Sequence, residues 1–201
     1  SAQALGPAAP APSHRVAALR TFVYPEPTIK TEPVAALSIG ATLAVSRQEG
    51  AFAATPSGFV HAGHLAPLDV VAEDFVAVAE RFDGVPYLWG GKSSLGIDCS
   101  GLVQLALAMA GQAAPRDSDL QERGLGDPVS GPDRRRGDLV FWKGHVGILT
   151  DPATPANTTV TFPKAGNYTL ELTVGNGTEF VVKKTVAVTV DVPYKTRRAH
   201  D

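Results

Sequence analysis

The chain has one cysteine among 201 residues, and that scarcity bounds its chemistry. A single cysteine excludes a disulfide within the chain, which is compatible with a reducing compartment and does not exclude an oxidising one. Long apolar runs are also lacking, because none reaches the roughly 20 residues that a membrane-spanning helix needs. We therefore predict no membrane span.

Strong charge of either sign is missing as well. The formal net charge is −2, and 44% of the residues are hydrophobic, which is typical of a globular protein able to bury one or two cores. The basic run 134–136 (RRR) has no interleaved aromatic residues, so we predict a solvated loop there rather than a nucleic-acid site.

The one cysteine, Cys99, lies in the segment 84–104, GVPYLWGGKSSLGIDCSGLVQ. Apolar residues then recur at spacings of three and four, which predicts a helix from Cys99 to about Ala110 that stops at Gly111. Cys99 would then sit at a helix N-terminus, where backbone N–H groups and the helix dipole favour an anion. The alternative is that Cys99 is a small buried apolar residue.

A second informative segment is 137–149, GDLVFWKGHVGIL, with His145 near its centre. Alternation predicts a strand with His145 and Gly147 on one face and Val146 and Ile148 on the other. A lone histidine is more often structural than catalytic. A lone cysteine followed by such a histidine is nevertheless the sequence form of a nucleophile and its base, brought together by folding.

Several motifs occur in order: YLWGG, DCSGL, PRDSD (115–119) and GDLVFW followed by GHVGI. Together they resemble the NlpC-type family of bacterial cell-wall peptidases, papain-like cysteine endopeptidases, over residues 68–151. The resemblance implies that Cys99 is the nucleophile and His145 the base. It also implies a third polar residue about a dozen positions after the base, for which Asn157 is the candidate.

The same resemblance suggests substrate-binding residues. Asp98 resembles the group that pairs with the free α-amine of an N-terminal L-alanine, since a carboxylate suits an ammonium. Tyr87, Ser100 and Ser118 resemble residues that line the site. Alternatives remain open: Asp98 could cap the helix, and Tyr87 could belong to the core.

The implied activity is hydrolysis of peptidoglycan stem peptides at the γ-D-glutamyl–diamino acid amide bond, with no metal and no cofactor. Partners would be stem peptides or free muropeptides, in the bacterial cytoplasm during muropeptide recycling or in the periplasm. Two alternatives are an amidase or acyltransferase with the same residue pair, and a non-catalytic module that binds cell-wall peptide.

The predicted fold class is α+β. Residues 1–13 read as a Pro/Ala linker, and 14–67 as a small all-β barrel that resembles bacterial SH3-like domains. The papain-like catalytic domain follows over 68–151, opening with an amphipathic helix at 69–82.

The C-terminal part departs from the family pattern. Residues 152–192 are β-rich, with two alternating segments and a turn signal at Asn176-Gly177. They resemble the last strands of an immunoglobulin-like domain of the polycystic-kidney-disease-repeat type. They could instead complete the peptidase sheet. Residues 193–201 are predicted to be a frayed tail.

Overall fold

The computed structural model describes residues 10–129, 133–151, 166–174, 182–190 and 195–198, the last three ranges as backbone strands. Strands dominate the N-terminal third, helices the middle, and strands the remainder, as expected for an α+β protein. The helices are α1 (Phe75–Glu80), α2 (Cys99–Met109) and α3 (Ser118–Gly124). The strands are β1 (His14–Val16), β2 (Arg20–Tyr24), β3 (Ala35–Ser38), β4 (Thr42–Leu43), β5 (Arg47–Glu49), β6 (Phe52–Thr55), β7 (Gly58–His61), β8 (Leu65–Pro67), β9 (Lys92–Ser93), β10 (Gly96–Ile97), β11 (Asp127–Pro128), β12 (Asp138–Trp142), β13 (His145–Ile148), β14 (Gly166–Val174), β15 (Val182–Val190) and β16 (Lys195–Arg198).

The strands predicted within 14–67 are present, and no closed barrel is found among these residues. Strands β1–β8 form two open sheets, ordered β4-β1-β8 and β3-β2-β7-β6-β5. The break falls between β1 and β2, where the N–H groups of Ala17 and Ala18 both donate to the carbonyl of His64. The chain turns there, so β1 and β2 pair with different neighbours. The likeness to SH3-like domains stays a prediction.

Helix α1 is shorter than predicted, covering Phe75–Glu80 instead of 69–82. Its start is set by Asp74, whose side chain accepts a hydrogen bond from the Val76 N–H at 2.8 Å. The chain before it is held elsewhere, because the Ala72 N–H donates to the Met109 carbonyl. Tertiary contact with α2 therefore takes these residues out of the helix.

Helix α2 matches its prediction, running from Cys99 to Met109. It is followed by Gly111 at φ +80°, a left-handed conformation that favours glycine at a helix end. The helix is buried along most of its length, which explains why it anchors both cores.

One core joins the N-terminal sheets to the helices. Ile39 lies in the same buried cluster as apolar residues of α1 and α2, and a side chain at Gly40 would meet Leu105 of α2. Arg20 reinforces this contact, donating from Nε to the Ser94 hydroxyl at 3.1 Å. The two N-terminal sheets thus pack directly against the helix that carries Cys99.

The second core joins α2 to the sheet that carries His145. Val103 and Leu107 of α2 pack with Leu139, Phe141 and Val146, and Cys99 packs against this cluster. The sheet order is β11-β16-β12-β13. Strands β12 and β13 form a hairpin whose two-residue turn ends in Gly144 at φ +76°.

The frayed tail predicted for 193–201 is wrong for Lys195–Arg198. These residues form β16, which pairs antiparallel with β12 and with β11. Strand β12 needs a partner on its open edge, and the end of the chain supplies one. The sheet that carries His145 is thus completed by residues distant in sequence.

The two alternating C-terminal segments pair with each other as antiparallel strands. Strand β14 pairs antiparallel with β15 along nine residues each, and within the described part of the chain this two-stranded sheet has no third strand. The predicted turn at Asn176-Gly177 lies outside the described residues. The immunoglobulin-like assignment stays a prediction.

Candidate active site

Cys99 is the first residue of α2 and is half-buried. Its sulfur lies 4.0 Å from the hydroxyl oxygen of Tyr87, which is positioned to donate to it. Tyr87 is held by a bridge to Ile97, and 59% of its surface is exposed, so its core assignment is wrong. Desolvation and the neighbouring Cys99 sulfur raise the pKa of Tyr87, which keeps the hydroxyl protonated and able to donate.

Asp98 caps α2, which is the alternative role that the sequence allowed for it. One carboxylate oxygen accepts from the Gly101 N–H at 2.7 Å, and the other accepts from the Gly90 N–H at 2.9 Å. The first bond satisfies a free donor of the helix start, and the second fixes the loop before it. Asp98 therefore holds the two segments that flank Cys99.

Arg116 is a site residue that our sequence reasoning missed. Its guanidinium donates to both oxygens of Asp98, at 2.9 and 2.6 Å, and to the Ser100 hydroxyl at 3.0 Å. Burial raises the pKa of Asp98, but the Arg116 and backbone hydrogen bonds outweigh it and leave that pKa below its ordinary value. The signal was the arginine of the PRDSD motif, but its partner could not be found without the fold.

The two residues after the cysteine, Ser100 and Gly101, are small because both lie in crowded, buried positions. Ser100 is 6% exposed, and its hydroxyl is engaged by Arg116 and Asp98. A Cβ on Gly101 would lie 2.5 Å from the Gly91 carbonyl oxygen, so only glycine allows the loop to approach the helix this closely.

Helix α3 contacts the start of α2 through Gln121. Gln121 is fully buried, and its amide nitrogen donates to the Ser100 and Pro115 carbonyls at 2.9 and 2.8 Å. Ser118 is the first residue of α3 and is half-buried. Gln121, which sequence reasoning also missed, links this helix to the start of α2.

His145 begins β13 and pairs with Trp142 across the hairpin. The alternation is as predicted, because Val146 is buried in the core and His145 lies on the other, exposed face. The two rings lie side by side at a tilt, with centroids 5.7 Å apart and planes at 40°, and a Cβ on Gly147 would lie 3.3 Å from the Trp142 ring. The space beside His145 that glycine leaves is therefore occupied by Trp142.

Partial burial lowers the pKa of His145, which favours the neutral imidazole at neutral pH. Helix α2 packs on β13, so Cys99 and His145 begin adjoining elements. In the described part of the chain no hydrogen bond joins the thiol to the imidazole. Catalytic hydrogen bonds are often long in proteins without substrate and tighten when it binds.

A cavity of about 170 Å³ opens beside Cys99. Its walls are mainly apolar, and neither Asp98 nor Arg116 lines it. The lining residues are Ala79, Glu80, Cys99, Leu102, Val103, Val146, Gly147, Ile148 and Thr150.

The third predicted catalytic residue, Asn157, lies outside the described residues. Across the described ranges, no cluster of three His, Cys, Asp or Glu side chains is placed to hold a metal ion. No helix in those ranges is long and apolar enough to cross a bilayer. The site thus offers a thiol at a helix start, a neutral imidazole on the adjoining strand, and backbone N–H donors.

Comparison with known proteins places this site in a family context. The chain is 40% identical over 76 residues to a dipeptidyl-peptidase 6 of Lysinibacillus sphaericus, covering 38% of this chain and 28% of that protein. It is 41% identical over 86 residues to a gamma-D-glutamyl-L-lysine dipeptidyl-peptidase of Bacillus subtilis, with the same two coverages. The chain thus matches less than a third of the length of these relatives.

A solved structure supports the fold. An NlpC/P60 family protein from Bacillus cereus superposes with a TM-score of 0.61 at 21% identity, covering 94% of this chain and 63% of that one. The model of the NlpC/P60 family matches residues 84–192, more than half of the chain and the part that holds Cys99 and His145. The chain belongs to the NlpC/P60 family.

Proposed function

We propose that the chain is a cysteine endopeptidase that hydrolyses peptidoglycan stem peptides at the γ-D-glutamyl–diamino acid amide bond. The observation that carries this is the placement of Cys99 at the start of α2, with α2 packed on the strand that begins at His145. The relatives named above as dipeptidyl-peptidases support the bond type.

In the proposed reaction, neutral His145 takes the thiol proton as Cys99 attacks the γ-carbonyl carbon. Backbone N–H groups at the start of α2 stabilise the oxyanion. The imidazolium then protonates the leaving amine, and the C–N bond breaks to leave a thioester. Water, deprotonated by His145, hydrolyses the thioester and restores the free thiol.

Asp98 is proposed to contact the free α-amine of the substrate, with Tyr87, Ser100 and Ser118 around it. Arg116 already donates to both Asp98 oxygens, so an ammonium would have to share this carboxylate. Rates on L-Ala-γ-D-Glu-L-Lys and its N-acetylated form test the contact. A preference for the free amine of about tenfold or more supports it. Equal rates would leave Asp98 as a cap alone.

The experiment for the activity is mass spectrometry of muropeptides incubated with the protein. Cleavage at the γ-D-glutamyl bond by the unaltered chain, abolished in Cys99→Ala, is the expected result. Ser46→Ala, in the loop between β4 and β5, is a control that should cleave normally. Cleavage that survives in Cys99→Ala would exclude the cysteine-peptidase mechanism.

A second candidate is a non-catalytic module that binds cell-wall peptide. The observation in its favour is that no hydrogen bond joins Cys99 to His145 within the described residues. Iodoacetamide at pH 6 separates the two, because an ordinary thiol, with a pKa of about 8.5, is mostly protonated there. Rapid alkylation that is lost in His145→Ala supports the peptidase. Slow alkylation that is unchanged in His145→Ala supports the binding module.

A further inference from the structure

Arg136 holds together the polar residues at one edge of the cavity beside Cys99, an edge that we call the rim and that comprises Asp74, Glu80, Arg136 and Thr150. Residue 136 lies in an exposed turn, as the solvated loop predicted for 134–136 requires, and there the Arg136 guanidinium makes five hydrogen bonds. It donates to the Asp74 carboxylate at 3.0 and 3.2 Å, to both Glu80 oxygens at 2.9 and 3.1 Å, and to the Thr150 carbonyl at 2.9 Å. Glu80 and Thr150 both line the cavity, so this network borders it.

The charge of this network is negative. Hydrogen bonds from Arg136 lower the pKa of Glu80, and the same bonds together with backbone N–H groups outweigh burial and lower that of Asp74. Both carboxylates are therefore ionised at neutral pH. Two carboxylates and one guanidinium sum to a charge of −1, which attracts a cation.

The network has hydrogen-bond acceptors to spare, and its guanidinium has no donor to spare. A guanidinium has five N–H donors, and all five of Arg136 are used. Each Glu80 oxygen accepts one bond from Arg136, although a carboxylate oxygen can accept two. The rim can thus accept hydrogen bonds from a ligand, and it has no guanidinium N–H left to donate.

The cavity behind this rim suits an unbranched apolar chain. Ala79, Leu102, Val103, Val146 and Ile148 supply most of its wall. At about 170 Å³ it has room for several heavy atoms, given that one water needs roughly 10–15 Å³ by this measure. An apolar chain ending in a hydrogen-bond donor with positive charge complements both the walls and the rim.

We propose that this cavity binds the side chain of the diamino acid on the leaving-group side of the cleaved bond, with Glu80 as the residue that selects its ammonium group. This inference rests on the proposed function, because it takes Cys99 as the nucleophile. The chemistry recognised is a primary ammonium on a chain of methylene groups, as lysine and diaminopimelate both carry. Glu80 is thus a specificity residue.

The test compares kcat/KM for L-Ala-γ-D-Glu-L-Lys with that for the same peptide carrying norleucine, which has the methylene chain and lacks the amine. We expect the unaltered chain to prefer lysine by about threefold to tenfold, the range of a partly exposed charge pair. Glu80→Gln should bring that ratio close to one while keeping hydrolysis of the norleucine peptide. Glu73→Gln, an exposed residue that does not line the cavity, is the matched control and should keep the ratio.

Arg136→Gln should have the opposite effect on the preference for lysine. It removes the positive charge and frees the Glu80 carboxylate, so the preference for lysine should rise. If Glu80 acted only on the fold, Glu80→Gln would slow both peptides equally and leave the ratio unchanged, which would overturn the inference. Equal rates of the unaltered chain on both peptides would overturn it while leaving the peptidase intact. Hydrolysis of neither peptide would overturn the proposed function and this subsite with it.

Discussion

Arg116 donates two hydrogen bonds to Asp98, at 2.9 and 2.6 Å, one to each carboxylate oxygen. The Asp98 side chain is 11% exposed and that of Arg116 is 32% exposed, so the pair is largely shielded from water. A forked donor matches a carboxylate in a way that a lysine ammonium cannot. The pair joins the start of α2 to the loop before α3, and Cys99 is the residue next to it.

Removing Arg116 should therefore destabilise the protein and disturb the position of Cys99. For Arg116→Gln we expect a loss of about 2–3 kcal/mol in the free energy of unfolding, since the Asp98 carboxylate would stay buried without its partner. Urea unfolding measures this. Arg116→Lys should recover less than half of the loss, and full recovery by lysine would show that charge alone matters. Arg47→Gln, in an exposed pair, should cost under about 1 kcal/mol.

Asp98 also predicts how stability depends on acidity. Its folded pKa lies below the unfolded value of 3.8, so its contribution is complete above pH 3.8 and is lost as the pH falls through the folded pKa. We expect the Asp98 contribution to the free energy of unfolding to be lost as the pH falls below 3.8, and this loss to be smaller in Arg116→Gln. Parallel curves for the two proteins would contradict the assignment of this pair.

His145 predicts the acid limb of the activity profile. Burial holds its pKa below 6.5, and only the neutral imidazole can accept the thiol proton. We expect kcat/KM for the lysine peptide to fall as the pH drops, with an inflection below 6.5. An inflection above 7 would mean that a negative charge outside the described contacts raises the pKa of His145.

Trp142 should act on activity through His145. Its ring contacts the imidazole at a tilt and lies beside Gly147, so Trp142→Leu would expose and loosen the imidazole. We expect kcat to fall more than KM rises, and the acid inflection to move towards 6.5. Trp89→Leu is a control, since 86% of that residue is exposed. An unchanged pH profile in Trp142→Leu would show that the pKa of His145 does not depend on this ring contact.

Local signals in the sequence determined much of this protein. The periodicity after Cys99 and the glycine at 111 define α2, because helix length and termination depend on residues a few positions apart. The alternation around His145 and the capping capacity of Asp98 are local in the same sense. The order of the motifs was enough to indicate the family.

Only the tertiary structure decided which distant residues meet. Arg116 lies 18 positions from Asp98 and Arg136 lies 56 from Glu80, and no local pattern specifies such pairs. Strand β16 completes the sheet of β12 because an open edge needs hydrogen-bond partners, wherever in the chain they occur. The helix predicted at 69–82 begins only at Phe75, because a hydrogen bond from the Ala72 N–H to the Met109 carbonyl of α2 holds the preceding residues outside it.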